Sequence, residues 1–317
     1  MNRNIIIEEI YNAMFRGGHL LRRIGTNGMS RHCKYRFDNN SKNSDSLIII
    51  VAGYQEYLWD KVFTRIKKYA PSSFDVCMVV PGQKNSAVID KLSAICKENN
   101  WSFLLTAENK LALAQNKAIE LHPNAENIFK LDEDIFISEN YFEELKNVYD
   151  SASLNEKTPV GFVSPTLNVN GATYYKLLDF KNATEEYIQR FGNIVSACAY
   201  IPVWGDGEAA KFIWEQSLPF DPTAKAFYAA NAGYFVCPHK ISIGAIFFKR
   251  SFWKTIGGFG VAGERVLGHE ETLLCNFCMD NSYLIIVSNK ILAGHFAFGP
   301  QKKVMMEYYN ENSELFE

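Results

Sequence analysis

Three consecutive acids, Asp132, Glu133 and Asp134, interrupt an apolar run that reads Ile128-Phe129-Lys130-Leu131 before them and Ile135-Phe136 after them. Continued as extended strand, a period of two sets Asp132 and Asp134 on one side and Glu133 on the other. Two carboxylates that close repel each other, and a divalent cation is their natural third party. A metal held by few protein ligands keeps positions open for phosphate oxygens. The pair would therefore hold a nucleoside diphosphate through Mn²⁺ or Mg²⁺, even in a chain whose net charge is −2. A solvated surface turn is the plainer account, and the flanking IFKL and IFI speak against it.

Two other groupings suit sugar chemistry. Trp204, Asp206 and Glu208, in VWGDGE, combine an apolar face with acids, the pairing that grips a sugar's C–H face and its hydroxyls, and are expected to meet the acceptor. Lys302 and Lys303 follow Gly299-Pro300 and would close over a diphosphate as a mobile lid. Buried aromatics and ordinary solvated lysines are the competing accounts.

The elements that must position these residues begin at Ser46. SLIIIVAG is a continuous β-branched run, as expected of a strand buried on both faces. FDVCMVVPG, WSFLLTA and ENIFKLDEDIFI read as further strands, separated by helices over YQEYLWDKVFTRIKKYA, Ala87–Asn99 and LALAQNKAIEL. Strands and helices alternating at this length imply right-handed βαβ units and a mostly parallel central sheet flanked by helices. Ligands bind such sheets at the carboxyl ends of the strands, where Asp132 stands. After Asp150 the alternation loosens. A strand is expected again at Ile241–Phe248, a helix near Glu270–Met279 and a strand at Tyr283–Val287.

These pieces together resemble the GT-A glycosyltransferases, especially glycosyltransferase family 2. LIIIVAGYQEY is similar to their first strand and donor loop, and ENKLALAQNKAIE to their N-x-G-x-x-x-A-R-N-x-G helix. LDEDIFI resembles their metal-binding Asp-x-Asp, and FFKRSFWKTIGGFG with LGHEETLLCNFC their R-x-x-F-x-x-I-G-G-F … G-E-D-x-E-L segment. The resemblance runs in the family's order from about Leu47 to His295. It implies a GT-A fold and transfer of a sugar from a nucleotide-sugar donor to a glycan or lipid-linked acceptor in cell-surface polysaccharide synthesis, as a hexosyl- or N-acetylhexosaminyltransferase. By position it implies that Ala52, Gly53, Tyr54 and Glu56 meet the nucleotide base and ribose. Asn116, Lys117, Glu133 and Gly258 join the donor site, with Lys302. Asp132, Asp134 and His295 become the metal ligands. Glu270 and Glu271 match the acidic pair whose second member is the general base of inverting enzymes. That base takes a proton from the attacking hydroxyl while the metal stabilises the leaving diphosphate. A helix start would favour its charged form; a pair that merely satisfies helix amides is the competing account.

Some positions depart from the pattern. Val80-Pro81-Gly82-Gln83 replaces an acidic V-D-D-G-S, so the donor base is UDP only by default; Gln115 replaces the helix Arg, and the usual Glu-Asp is Glu-Glu. A retaining transferase and an inactive sugar-binding scaffold of the same fold are the alternatives. Phosphohydrolases of the haloacid dehalogenase type would carry their acidic motif on the first strand instead.

Residues 1–45 form a separate extension, followed by 46–150 as nucleotide-binding half, 151–300 as acceptor and catalytic half, and a tail over 301–317. The extension holds eight basic residues against four acidic ones, with Ile6, Ile10, Ala13 and Met14 on one helical face. It would rest on an anionic membrane surface or a partner, or pack on its own domain. With 47% hydrophobic and 21% charged residues the chain has the balance of a globular protein, and no basic surplus suited to nucleic acid. No membrane-length apolar run and no secretory signal appear. Seven scattered cysteines, CxxC at 275–278 included, read as buried thiols of a cytoplasmic protein, peripheral to the inner face of the membrane if the extension docks there.

Overall fold

Helices cover both faces of the strand Ser46–Val51, which is why its residues need not alternate. In a computed structural model that describes residues 32–261 and 268–317, the chain forms a ten-stranded mixed sheet with helices on either side. The helical face expected over Ile6–Met14 lies outside the described residues. The first half comprises β1 (Tyr35–Asp38), β2 (Ser46–Val51), α1 (Trp59–Tyr69), β3 (Asp75–Pro81), α2 (Ser86–Asn99), β4 (Ser102–Thr106), α3 (Leu111–Leu121) and β5 (Asn127–Asp132). Strands β4, β3, β2 and β5 are parallel neighbours in that order, with Ile49 between Cys77 and Lys130 in register. Ile48 and Ile50 share a core with Trp59, Val62 and Ile66, whereas Leu47, Ile49 and Val51 share another with Leu113 and Ile119. Each such Ile or Leu stabilises the fold by about 1.5–3 kcal/mol.

The second half holds β6 (Ile135–Phe136), α4 (Tyr141–Asn155), β7 (Val160–Leu167), α5 (Tyr174–Lys181), α6 (Thr184–Phe191), α7 (Pro202–Gly205), α8 (Gly207–Ser217), α9 (Phe220–Ala230), β8 (Tyr234–Val236), β9 (Ala245–Lys249), α10 (Arg250–Ile256), α11 (His269–Asp280), β10 (Leu284–His295) and α12 (Lys302–Asn312). Strand β9 runs antiparallel between β5 and β7, and β10 is parallel to β7 but antiparallel to β6. That return brings His295 opposite Ile135, one residue past Asp134.

Two elements differ from the sequence expectation, and the tail adds helix where no element was expected. Tyr35–Asp38, read as part of a polar loop, is an edge strand antiparallel to β4, and the turn after it is gathered by Asp75, which accepts from Ser41 Oγ, Lys42 N–H and Ser44 N–H. The strand expected from Ile241 begins only at Ala245. The acidic tail is helical because Met305, Tyr309 and Phe316 are buried.

Candidate active site

The carboxyl ends of β2, β3 and β5 are tied to one another. Beyond β2, Ala52 is buried and its N–H donates to Val79 O at 3.0 Å. Gln83 Nε2 donates to Gly53 O (2.6 Å), and Tyr54 Oη donates to Pro81 O (3.0 Å), with Tyr54 as a whole 54% exposed. Gly82 sits at φ +61°, and a Cβ there would lie 2.3 Å from the backbone nitrogen of Asn109, so no other residue fits this turn. Glu56 is exposed and pairs with Lys91 at 2.7 Å, away from the buried acids.

Strand β5 stops at Asp132, and the chain turns at Glu133–Asp134 rather than continuing its pleat. The three acids consequently go three ways. Asp132 Oδ1 pairs with Lys130 Nζ at 2.6 Å, and its N–H donates to Gly244 O at 2.8 Å. Burial raises the Asp132 carboxyl above its ordinary pKa; Lys130 opposes that and the neighbouring Asp134 adds to it. Glu133 turns inward beneath the loop that follows β2, where it accepts from Gly53 N–H (2.9 Å), Tyr54 N–H (2.8 Å) and the Trp59 indole. Its oxygens are engaged in holding that loop, a role distinct from the direct donor contact expected of it.

Asp134 is buried, accepts from Gln55 Nε2 at 2.9 Å and lies 3.6 Å from His295 Nε2. The imidazole is braced by Val169 O, 3.2 Å from Nδ1, and by the edge of Phe298 with ring centroids 4.5 Å apart. When Nδ1 donates to Val169, Nε2 offers Asp134 either a proton or a lone pair. A lone pair facing a carboxylate calls for a cation between them, so this N/O donor pair suits a divalent ion. Among the described residues no three His, Cys, Asp or Glu side chains are gathered into a ready cluster, and Lys130 holds one oxygen of Asp132.

Opposite Asp132 lies the start of α11. Glu270 is buried, while Glu271 Oε2 accepts from Ile243 N–H at 3.1 Å and Oε1 pairs with Lys240 Nζ at 2.9 Å. Burial works against the Lys240 charge, but the Glu271 carboxylate prevails and holds its pKa above the usual value. Residues 241–244 thus separate Asp132 from Glu271. Lys130, buried within β5, donates to Ile243 O at 2.9 Å from the other side. Lys130 stands two residues before Asp132, on the same side of the pleat, and that spacing is the sequence signal for the pair.

Other expected site residues are engaged in holding the fold. Asn116 Nδ2 donates to Phe259 O (2.8 Å), and its Oδ1 accepts from Phe259 N–H (2.8 Å) and Trp253 Nε1 (3.0 Å). It pins the Gly257-Gly258-Phe259 turn to α3, with Gly258 at φ +85° packed over its amide. Lys117 is drawn to Glu120 (2.6 Å) and lies over the Tyr35 ring, on the β1 side of α3. Asp206 caps α8 by accepting from Glu208 N–H at 2.8 Å, and Glu208 is an exposed neighbour of Lys211. Of that trio only Trp204 is linked to the acids, through Phe298 with centroids 6.4 Å apart and thence His295. Lys302 opens the packed helix α12, its ammonium 5.7 Å from the Tyr57 ring. Of the cysteines, Cys198 is exposed and Cys33 half-buried, rather than buried as expected.

No family model matches the chain, and no curated protein matches it in sequence. Solved structures match it in part. One is residues 1–349 of S. aureus TarS in complex with UDP-GlcNAc, at 12% identity and a TM-score of 0.31 over 38% of this chain and 34% of that one. Another is the mannosyltransferase PcManGT from Pyrobaculum calidifontis in complex with GDP-Man and Mn²⁺, at 14% identity and a TM-score of 0.45 over 95% of this chain and 80% of that one. The chain spans about a third of the TarS chain that it matches.

Proposed function

We propose that this protein is a metal-dependent glycosyltransferase that moves a sugar from a nucleotide-sugar donor to a glycan or lipid-linked acceptor, with inversion. One observation carries it: Asp134, two residues past the end of β5, and His295, the last residue of β10, face each other at 3.6 Å, close to Asp132. Asp134, His295 and the remaining oxygen of Asp132 would hold Mn²⁺ or Mg²⁺, which when bound supplies positive charge to a leaving diphosphate. The exposed Tyr54 ring offers a stacking face for the nucleotide base on the loop that Glu133 fixes. Glu271 would take the proton of the acceptor hydroxyl. Trp204, reached through Phe298, offers the acceptor an apolar face. The matched TarS and PcManGT structures hold UDP-GlcNAc and GDP-Man, so UDP- and GDP-sugars are the first donors to try.

A second reading, a retaining transferase in which the Glu pair is structural, is favoured by the engagement of both Glu271 oxygens with Lys240 and Ile243. The test is transfer by Glu271→Gln, with the anomeric configuration of the product determined by NMR. Inversion, donor binding kept and transfer reduced by about 10²–10⁴-fold is the expected result. Near-normal transfer, or retained configuration, moves the base away from Glu271. For the membrane, no described helix is long and apolar enough to cross one, and we assign any membrane contact to the basic extension.

A further inference from the structure

Lys130 is 1% exposed in a central strand, a setting in which lysine is found only when paired. Its ammonium has two partners on different elements: Asp132 Oδ1 at 2.6 Å and Ile243 O at 2.9 Å. Ile243 in turn donates its N–H to Glu271 Oε2 at 3.1 Å, and the next residue, Gly244, accepts from Asp132 N–H at 2.8 Å. A Cβ on Gly244 would stand 3.2 Å from Asp132 Oδ2, so the backbone here passes directly against that carboxylate. Residues 241–244 precede β9 and take no part in its ladder. Apart from the Asp132 N–H on Gly244 O, side chains hold them: Lys130 and Glu271 on Ile243, Ser242, whose Oγ accepts from Gly244 N–H at 3.3 Å, and Cys275, whose thiol donates to Ile241 O at 3.5 Å.

We propose that Lys130 is a positioning residue that sets the spacing between Asp132 and Glu271 by gripping the Ile243 backbone that lies between them. The inference rests on the glycosyl-transfer reading for its consequence, since it joins the acid at the diphosphate end of the site to the base at the acceptor end. A lysine serving only to neutralise Asp132 would need no bond to Ile243. Removing it frees the Ile243 carbonyl, loosens the segment that Glu271 and the Asp132 N–H still hold, and lets the base drift, and a displacement of about 1 Å costs on the order of 100-fold in rate. Removing its charge also strengthens the attraction of the acids for a cation, so metal binding and turnover should move apart.

The experiment uses the full chain carrying Lys130→Met, with Lys130→Arg as the conservative variant. Amide exchange at residues 241–245 is read by mass spectrometry, Mn²⁺ binding by EPR, and transfer as kcat and donor KM. Expected for Lys130→Met are faster exchange at Ile243 and Gly244, Mn²⁺ binding equal to or tighter than wild type, and kcat lowered about 10- to 100-fold with donor KM within about threefold. Lys130→Arg should restore part of kcat. Unchanged exchange overturns the proposal, as does a parallel fall of Mn²⁺ binding, kcat and melting temperature, the signature of a purely structural lysine. Should Lys130→Met fail to fold, Lys130→Gln keeps a donor to Ile243 without the charge, and near-wild-type exchange with kcat within threefold is then required. Wild type without turnover on any nucleotide sugar would defeat the glycosyl-transfer reading alone, while the exchange and Mn²⁺ results would still decide the role of Lys130.

Discussion

Glu133 should be the costliest of the three consecutive acids to remove, although it stands outside the proposed metal site. Its buried carboxylate receives the N–H groups of Gly53 and Tyr54 and the Trp59 indole. A hydrogen bond to a charged group contributes about 1.5–3 kcal/mol, and three on one carboxylate are not additive. Burial offsets part of this gain, holding the carboxyl above its ordinary pKa against the pull of those same donors. Glu133→Ala should therefore lose about 2–4 kcal/mol, mostly from orphaned donors. At about 2.1 cal/mol/K per residue of unfolding entropy, a 317-residue chain changes by roughly 0.7 kcal/mol for each degree, so the melting temperature should fall by about 3–6 °C. Glu56→Ala, on the same loop but exposed beside Lys91, should change it by less than about 1 °C. Differential scanning calorimetry of both variants is the assay. A Glu133→Ala midpoint within 1 °C of wild type would refute the assignment of this carboxylate to the loop.

Asn116→Ala leaves Phe259 N–H, Phe259 O and the Trp253 indole without their partner and should cost about 2–4 kcal/mol in urea unfolding, where Lys117→Ala should cost under 1. Asp221 has its pKa lowered: burial opposes the charge, but Tyr69, Arg65 and Lys68 together outweigh it. A depressed folded pKa gives stability that is full above the unfolded value of about 3.9 and is lost as pH falls through the folded value. Wild type should therefore exceed Asp221→Asn in stability at pH 6, and the gap should close as acid titration descends below about pH 4; a gap independent of pH would refute the pairing.

Much of the first half was legible because a strand covered on both faces has to be apolar throughout. Ser46–Val51, Asp75–Pro81 and Ser102–Thr106 carry that signature, and the helices between them have the length of parallel crossovers. The placement of acids at the end of β5 follows from the same order. The inward course of Glu133 was not legible, because a period of two assumes extended chain and the strand ends one residue earlier. Nor does local pattern distinguish Asp206 as a helix cap from Asp206 as a sugar ligand: the cap depends on where α8 begins. Asn116 belongs with these. Its partners lie about 140 residues away in sequence, and only the folded chain brings Phe259 to it. The antiparallel course of β9 likewise depends on tertiary packing, since its apolar run Ala245-Ile246-Phe247-Phe248 suits either direction.

The central claim is that Asp134 and His295 gather a cation that receives a nucleoside diphosphate. Thermal shift of the full chain with UDP, GDP, CDP or TDP, each with Mn²⁺ or with EDTA, tests it most directly on wild type, Asp134→Asn and His295→Ala. Ligand at about 100 times its Kd contributes roughly 2.7 kcal/mol, about 4 °C here. The account predicts such a shift in wild type with a preferred nucleotide, only when Mn²⁺ is present, and its loss in both variants. A shift of equal size in EDTA, or one preserved in Asp134→Asn, would contradict it.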